Sequence, residues 1–338
     1  MAFLAAPITY YSVLKYAPNL TTLTLSYEYA EEYPEILPYM PTSWELILEV
    51  ATNIPWTDIM RSCVHLRSLK FRGIKRNEDG LDLFHRPVYQ KPDKPEPSVE
   101  CKELESIFID VACVDWDGEP GNALIGSFFA AVKAPSLRSL TIYAEDPHFD
   151  LNVFNWPRNV MTSFASNTRG NLRSLSIMNL PIRTEDLLAF LELAPLLEEL
   201  VVTEHRSKAP YQLLSFFRDH NTSFHQSITR AFLDRLLIKK DRSVPPFLPK
   251  LRSISLFVHG RHFNEDRMFV EMVQSRSLMP AGSAVASLRL VELNMWMSEW
   301  KDAILDKTYD LSRVLERDHG VRISVVSLNL MGTPHPIV

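Results

Sequence analysis

The chain has 338 residues, 46% hydrophobic and 23% charged, with a formal net charge of −5. That supplies apolar material for a large core, and the lack of a basic excess argues against nucleic acid as a partner. Only 10 Gly stand against 23 Pro, and neither GxxxxGK(S/T) nor GxGxxG occurs, which excludes the common phosphate-cradling loops.

Three cysteines, Cys63, Cys101 and Cys113, form no CxxC and cannot all pair with one another. Free thiols in a reducing compartment are therefore expected, which makes the protein intracellular, cytoplasmic or nuclear. No apolar run reaches the roughly 18 residues of a membrane span, so no membrane association is expected. Met1 to Pro7 is apolar but lacks the basic start of a signal peptide. At about 150 residues per domain the length fits two domains or one elongated one.

One phrase, Leu-x-x-Leu-x-Leu, recurs from the first residues to the last. It begins at Leu20-Thr-Thr-Leu23-Thr-Leu25 and returns at Leu66-Arg-Ser-Leu69-Lys-Phe71. Between these lies a weaker version, Leu46-Ile-Leu48-Glu-Val50. Residues 86–100, with Pro87, Pro92, Pro95 and Pro97 among Lys and Glu, interrupt the pattern and read as an exposed, extended insertion. The phrase resumes at Leu104-Glu-Ser-Ile107-Phe-Ile109, followed by an apolar helical stretch from Leu124 to Val132. Leu137-Arg-Ser-Leu140-Thr-Ile142 and Leu172-Arg-Ser-Leu175-Ser-Ile177 come next.

Thr184 to Leu193 has helical periodicity, with Glu185 and Asp186 placed where a helix N-terminus favours negative charge. It runs into Leu197-Glu-Glu-Leu200-Val-Val202. Tyr211 to Phe217 reads as a further helix, and Ser227 is placed to cap one through Ala231, Phe232, Leu236 and Leu237. Leu236-Leu-Ile238 is a candidate for a degenerate repeat inside a long gap. Leu251-Arg-Ser-Ile254-Ser-Leu256 follows, then a helix capped by Asn264 through Met268, Val270, Met272 and Val273. The eighth hexad is read as Leu290-Val-Glu-Leu293-Asn-Met295, and Ile323-Ser-Val325-Val326-Ser-Leu328 is a weaker ninth. Pro135, Pro195 and Pro249 each stop a helix ahead of the next strand.

Helix, turn and short strand repeated in this way predict an α/β leucine-rich-repeat solenoid. In that horseshoe, parallel strands line the concave face and helices the convex face, in a single array over 1–338. No repeat can bury its apolar face alone; stacking neighbours does so.

These residues resemble a family, the irregular leucine-rich-repeat region of fungal F-box proteins. Ala17-Pro18-Asn19-Leu20, Pro135-Ser136-Leu137-Arg138-Ser139-Leu140 and Leu248-Pro249-Lys250-Leu251-Arg252-Ser253 carry the likeness, as does Thr184 to Leu191 running into Ala194-Pro195-Leu196-Leu197. The resemblance implies substrate recognition for an SCF-type ubiquitin ligase. An F-box, which docks the adaptor Skp1, is not found ahead of Leu20. A Skp1-type adaptor is therefore expected only with an F-box upstream.

Candidate chemistry is sparse. His259-Gly260-Arg261-His262 lacks the further ligands a metal needs, and Asp115-Trp116-Asp117-Gly118 lacks the acidic ladder of a calcium loop. Cys63 and His65 sit too close in sequence to meet as nucleophile and base. No GxSxG or HExxH is present. Neither catalysis, metal nor cofactor is expected. The alternatives are a site built from loops 111–120 or 257–266, a scaffold without a ubiquitin role, and a relic.

Period two sends the third and fifth residues of each hexad, and the residue after it, to the concave face. The third position is mostly Ser: Ser68, Ser106, Ser139, Ser174 and Ser253, with Thr22, Glu199 and Glu292. The other two columns hold the candidate protein-binding residues. These are Lys70, Arg72, Phe108, Asp110, Thr141, Tyr143, Met178, Thr203, Phe257, Asn294 and Trp296. Aromatic and Met side chains there suit interface anchors. The expected function is non-catalytic binding of a protein target on this face.

Overall fold

Alternating apolar and polar residues in the hexads form strands with one buried side, and the longer apolar-periodic stretches between them form helices. The computed structural model describes residues 2–3, 22–26, 45–50, 60–61, 65–73, 98–111, 120–144, 156–168, 170–204, 226–239, 245–259, 263, 265–277, 279–280, 282–296, 316–317, 322–328 and 334–336. Their contacts divide the chain into two units, Met1–Leu172 and Arg173–Val338.

The first unit contains β1 (Ala2–Phe3), β2 (Thr22–Ser26), β3 (Glu45–Val50), β4 (Ser68–Gly73), β5 (Val99–Glu100) and β6 (Ser106–Asp110). Helix α1 (Pro120–Ala131), β7 (Val132–Lys133), β8 (Ser139–Tyr143) and α2 (Arg158–Asn167) follow. Strands β1, β2, β3, β4, β6 and β8 lie side by side in that order, all parallel. A separate parallel pair joins β5 to β7.

The second unit contains β9 (Ser174–Met178), α3 (Thr184–Leu191), β10 (Glu199–Thr203), α4 (Arg230–Leu236) and β11 (Ser253–His259). It continues with α5 (Asp266–Ser277), β12 (Leu290–Trp296), β13 (Arg322–Leu328) and β14 (Pro334–Pro336). Strands β9 to β13 are parallel neighbours, and β14 pairs antiparallel with β13. Parallel neighbours need a crossover between them, which α1, α3, α4 and α5 supply. Each unit therefore has leucine-rich-repeat architecture, with successive strands adjacent and helices on the other side.

The hexad leucines are the core. Leu104 and Leu137 in the first unit, and Leu197 and Leu251 in the second, are fully buried. The fourth and sixth positions, such as Leu140 and Ile142 or Leu200 and Val202, are buried likewise. Burying each such side chain contributes about 1.5–3 kcal/mol. The helices cover this side: Phe71 of β4 meets Phe128 of α1 edge-on at 5.2 Å, and Phe129 meets Phe164 of α2 at 4.6 Å.

Two recurrent backbone devices set the register. Ala134–Leu137, Ala194–Leu197 and Leu248–Leu251 are turns, closed by the N–H of the fourth residue donating to the first carbonyl at 3.1, 3.1 and 3.2 Å. Pro135, Pro195 and Pro249 occupy the second position, where a fixed φ favours the turn. These prolines thus steer the chain into the strand; Pro195 follows closely on α3, but β7 separates Pro135 from α1, and Pro249, 13 residues beyond the end of α4, follows no described helix. One residue before each strand, a carbonyl then accepts two N–H groups of the next repeat. Glu105 accepts from Arg138 at 2.8 Å and Ser139 at 3.0 Å, and Glu198 from Arg252 at 2.8 Å and Ser253 at 3.0 Å.

Several expectations need correction. Ser253 pairs with Leu290 and Ser255 with Glu292, so the eighth hexad is Leu288-Arg289-Leu290-Val291-Glu292-Leu293. Leu288, Val291 and Leu293 fill the three core positions. The expected frame was two residues late; Asn294 joins the column of Phe257, and Trp296 lies beside His259. No strand forms at 236–238: Leu236 ends α4, and β10 pairs directly with β11. Thr229, not Ser227, caps α4, its Oγ1 accepting from Phe232 N. Ser227 instead donates to Ile182 O at 2.7 Å. Helix α1 starts at Pro120, four residues before the expected Leu124. Of the insertion, 86–97 lies outside the described residues, as do Asn264 and 211–217; Val99–Glu100 forms β5.

One buried charge holds part of the second unit together. Arg276 of α5 is fully buried. Its guanidinium donates to Leu236 O at 2.6 Å, Phe247 O at 2.5 Å and Leu248 O at 3.1 Å. Leu236 is the last residue of α4, so the cation also faces the negative end of that helix. Burial lowers its pKa to about 10.

Candidate functional site

The sheet side opposite the helices carries the outward columns in each unit. In the first unit Ser68, Ser106 and Ser139 stand side by side, and Ser106 Oγ donates to Ser68 Oγ at 2.9 Å. The next row is Lys70, Phe108 and Thr141, all half-buried. Beyond them Asp110 lies next to Tyr143. Tyr143 is half-buried, whereas Asp110 is only 5% exposed and offers almost no surface. Arg72 is in β4, but its side chain lies outside what is described.

This unit also contains a pair that sequence reasoning did not single out. Lys70 Nζ lies 2.5 Å from Glu45 Oε1, and Thr22 Oγ1 donates to Glu45 Oε2 at 3.3 Å. The bond from Lys70, its charge, and the Thr22 and Ser68 hydroxyls hold the Glu45 carboxyl below its ordinary pKa, against opposing desolvation. The alternation Glu45-Leu46-Ile47-Leu48 could have placed Glu45 outward, had that weak hexad been taken as a strand. Thr24 and Ile47 of the neighbouring row are buried.

In the second unit the first row is Ser174, Glu199, Ser253, Leu290 and Arg322. The second is Ser176, Val201, Ser255, Glu292 and Ser324, and the third is Met178, Thr203, Phe257, Asn294 and Val326. Met178, Val201, Phe257 and Asn294 are half-buried. Thr203 is 7% exposed and contributes little. Trp296 follows in β12, its side chain outside what is described. The face thus combines a shelf of hydroxyls with half-exposed apolar side chains. Such a surface suits a polypeptide, whose backbone needs polar partners and whose side chains need apolar contact.

Reactive groups do not converge. Cys101 is buried, and desolvation, with a smaller contribution from Glu100, raises its pKa to about 11, leaving an inert neutral thiol. His65 Nδ1 meets Glu103 Oε1 at 2.9 Å on the surface, tying neighbouring turns. Among the described residues no three His, Cys, Asp or Glu side chains could hold a metal ion. Cys63, residues 115–118 and 260–262 lie outside the described residues. Among the described residues no helix is long and apolar enough to cross a membrane.

No family model and no curated protein matches the chain. Among solved structures it is similar to the leucine-rich repeat-containing protein LegL7 from Legionella pneumophila. The identity is 14% and the TM-score 0.40, over 94% of this chain and 85% of that one.

Proposed function

We propose that the chain is a non-catalytic leucine-rich-repeat protein that binds another protein on the outward face of its strands. By its resemblance to the repeat region of fungal F-box proteins, the bound protein is a target recruited for ubiquitination. A Skp1-type adaptor takes part only through an F-box upstream. The observation that supports this reading is the sheet face itself. Tyr143 and Phe108 in the first unit, and Met178, Val201 and Phe257 in the second, are half-exposed on the side that none of the described helices covers. Leaving apolar groups on such a face lowers stability unless a partner covers them.

The test is affinity purification of the tagged chain beside its Tyr143→Ala/Met178→Ala/Phe257→Ala variant, with quantitative mass spectrometry. Truncating anchors of this kind costs about 1–2 kcal/mol or more each, so specific partners are expected to fall at least tenfold. Retention of every partner by the triple variant refutes the face. Consistent absence of Skp1 refutes the ligase role and leaves the binding role standing.

A further inference from the structure

The recurring Leu-Arg-Ser phrase places a charge at one rim of each sheet, on the residue just before the strand. In the first unit that series runs Arg67, Glu105, Arg138, with Arg67 and Glu105 linked by successive rungs of the carbonyl ladder. In the second it begins Arg173, Glu198, Arg252, and Arg173 Nη1 pairs with Glu198 Oε1 at 3.3 Å. Alternating signs are the stable arrangement for neighbouring rungs, because like charges side by side repel.

The alternation then breaks. Arg289 N donates to Arg252 O, and Arg322 N donates to Arg289 O. Arg252 and Arg289 therefore occupy successive rungs, about 4.8 Å apart at the backbone, and Arg322 follows on the next strand one residue further along, in register with Leu290. All three are exposed, and among the described residues no carboxylate forms an ion pair with any of them. Lys250, two residues before Arg252, is exposed as well. Arg322 lies beside Leu290 on the outward face, so the cluster opens onto the half-exposed apolar surface.

We propose that Arg252, Arg289 and Arg322 form a docking point for an Asp or Glu side chain of the bound protein; this rests on the face being a protein-binding surface. An arginine fork matches a planar carboxylate with two parallel hydrogen bonds. On the same face Glu199 stands beside Ser253, and Glu292 lies two residues beyond Leu290 in β12. They disfavour a dianion or a long acidic tract and leave room for one carboxylate with an apolar neighbour over Leu290.

The test uses the full chain and fluorescein-labelled heptapeptide libraries, degenerate except at a central residue fixed as Glu, Gln, phosphoserine or Lys. Fluorescence polarisation at two salt concentrations reads binding. The Glu library is expected to bind best, more weakly at high salt, and about tenfold more weakly to Arg289→Glu. Arg289→Glu/Arg322→Glu is expected to turn preference toward the Lys library. Equal binding of the Gln library, preference for phosphoserine alone, indifference to the substitutions, or no binding by any library overturns the proposal. Phe257→Ala, measured in parallel, separates the two claims. Loss of all four libraries in that variant with no effect of the arginine changes keeps the face and removes the carboxylate site. The opposite pattern keeps the site and removes the face.

Discussion

Replacing Arg276 with Met retains most of the aliphatic volume and removes the guanidinium. Two buried carbonyls, those of Leu236 and Phe247, then lose this donor, while Leu248 O keeps the N–H of Leu251 at 3.2 Å. Each unsatisfied buried group costs about 1–3 kcal/mol, so about 4 kcal/mol is at stake. In the other direction, the cation no longer has to be buried. A pKa lowered from 12.5 to about 10 corresponds to about 3 kcal/mol of desolvation. The net expected loss is about 1 kcal/mol. For a unit of this size that lowers the melting temperature by about 2–4 °C. Calorimetry of the full chain gives the midpoint, and hydrogen exchange locates the loss. The amide of Leu288, which donates to Arg276 O at 3.3 Å, should exchange faster in the variant. Arg276→Lys should fall between the two, since one ammonium cannot span three separated carbonyls. A midpoint within about 1 °C of the parent would refute the reasoning, because two unpaired buried carbonyls cannot be silent.

The other predictions concern single groups. The depressed Glu45 carboxyl contributes stability that is fully present above its unfolded pKa and is lost as pH falls through the lower folded value. Lys70→Met should therefore move the Glu45 titration upward by NMR; an unchanged titration would remove Lys70 as the cause. Thr24 Oγ1 is buried without a hydrogen-bond partner, so Thr24→Val should stabilise by about 1 kcal/mol in urea unfolding. A loss of stability there would show that the hydroxyl is satisfied. Cys101, with its pKa raised to about 11, should resist iodoacetamide at pH 8 until denaturant is added, as mapped by peptide mass spectrometry.

The inward leucines were legible because their spacing is local: Leu140 and Ile142 are two residues apart in β8, where period two decides their side, and Leu137 is buried from the turn just ahead of the strand. The start of α3 at Thr184, with Glu185 and Asp186 in its first turn, was legible for the same reason. The eighth hexad misled because Leu288 and Leu290 are both Leu, which permits two frames two residues apart. A two-residue slip keeps each residue on its face, so the outward set survived while its columns shifted. The cap at Thr229 was missed because Ser227 is equally suitable by type and is taken by Ile182 O, 45 residues away in sequence. Arg276 looked like a polar helix residue, since its acceptors lie 28, 29 and 40 positions away. Asp110 and Thr203 belong to the outward series by parity, and only tertiary packing covers them.

Whether partners bind the strands or the helices is the question on which the functional account turns. Site-specific photocrosslinking decides it, with a benzophenone side chain introduced at Tyr143 or Phe257 on the sheet, or at exposed Ser163 or Arg267 on the helices. The account expects the same specific adducts from Tyr143 or Phe257, competed by unlabelled chain, and none from the helix positions. Specific adducts from Ser163 or Arg267, with the sheet positions silent, would contradict it.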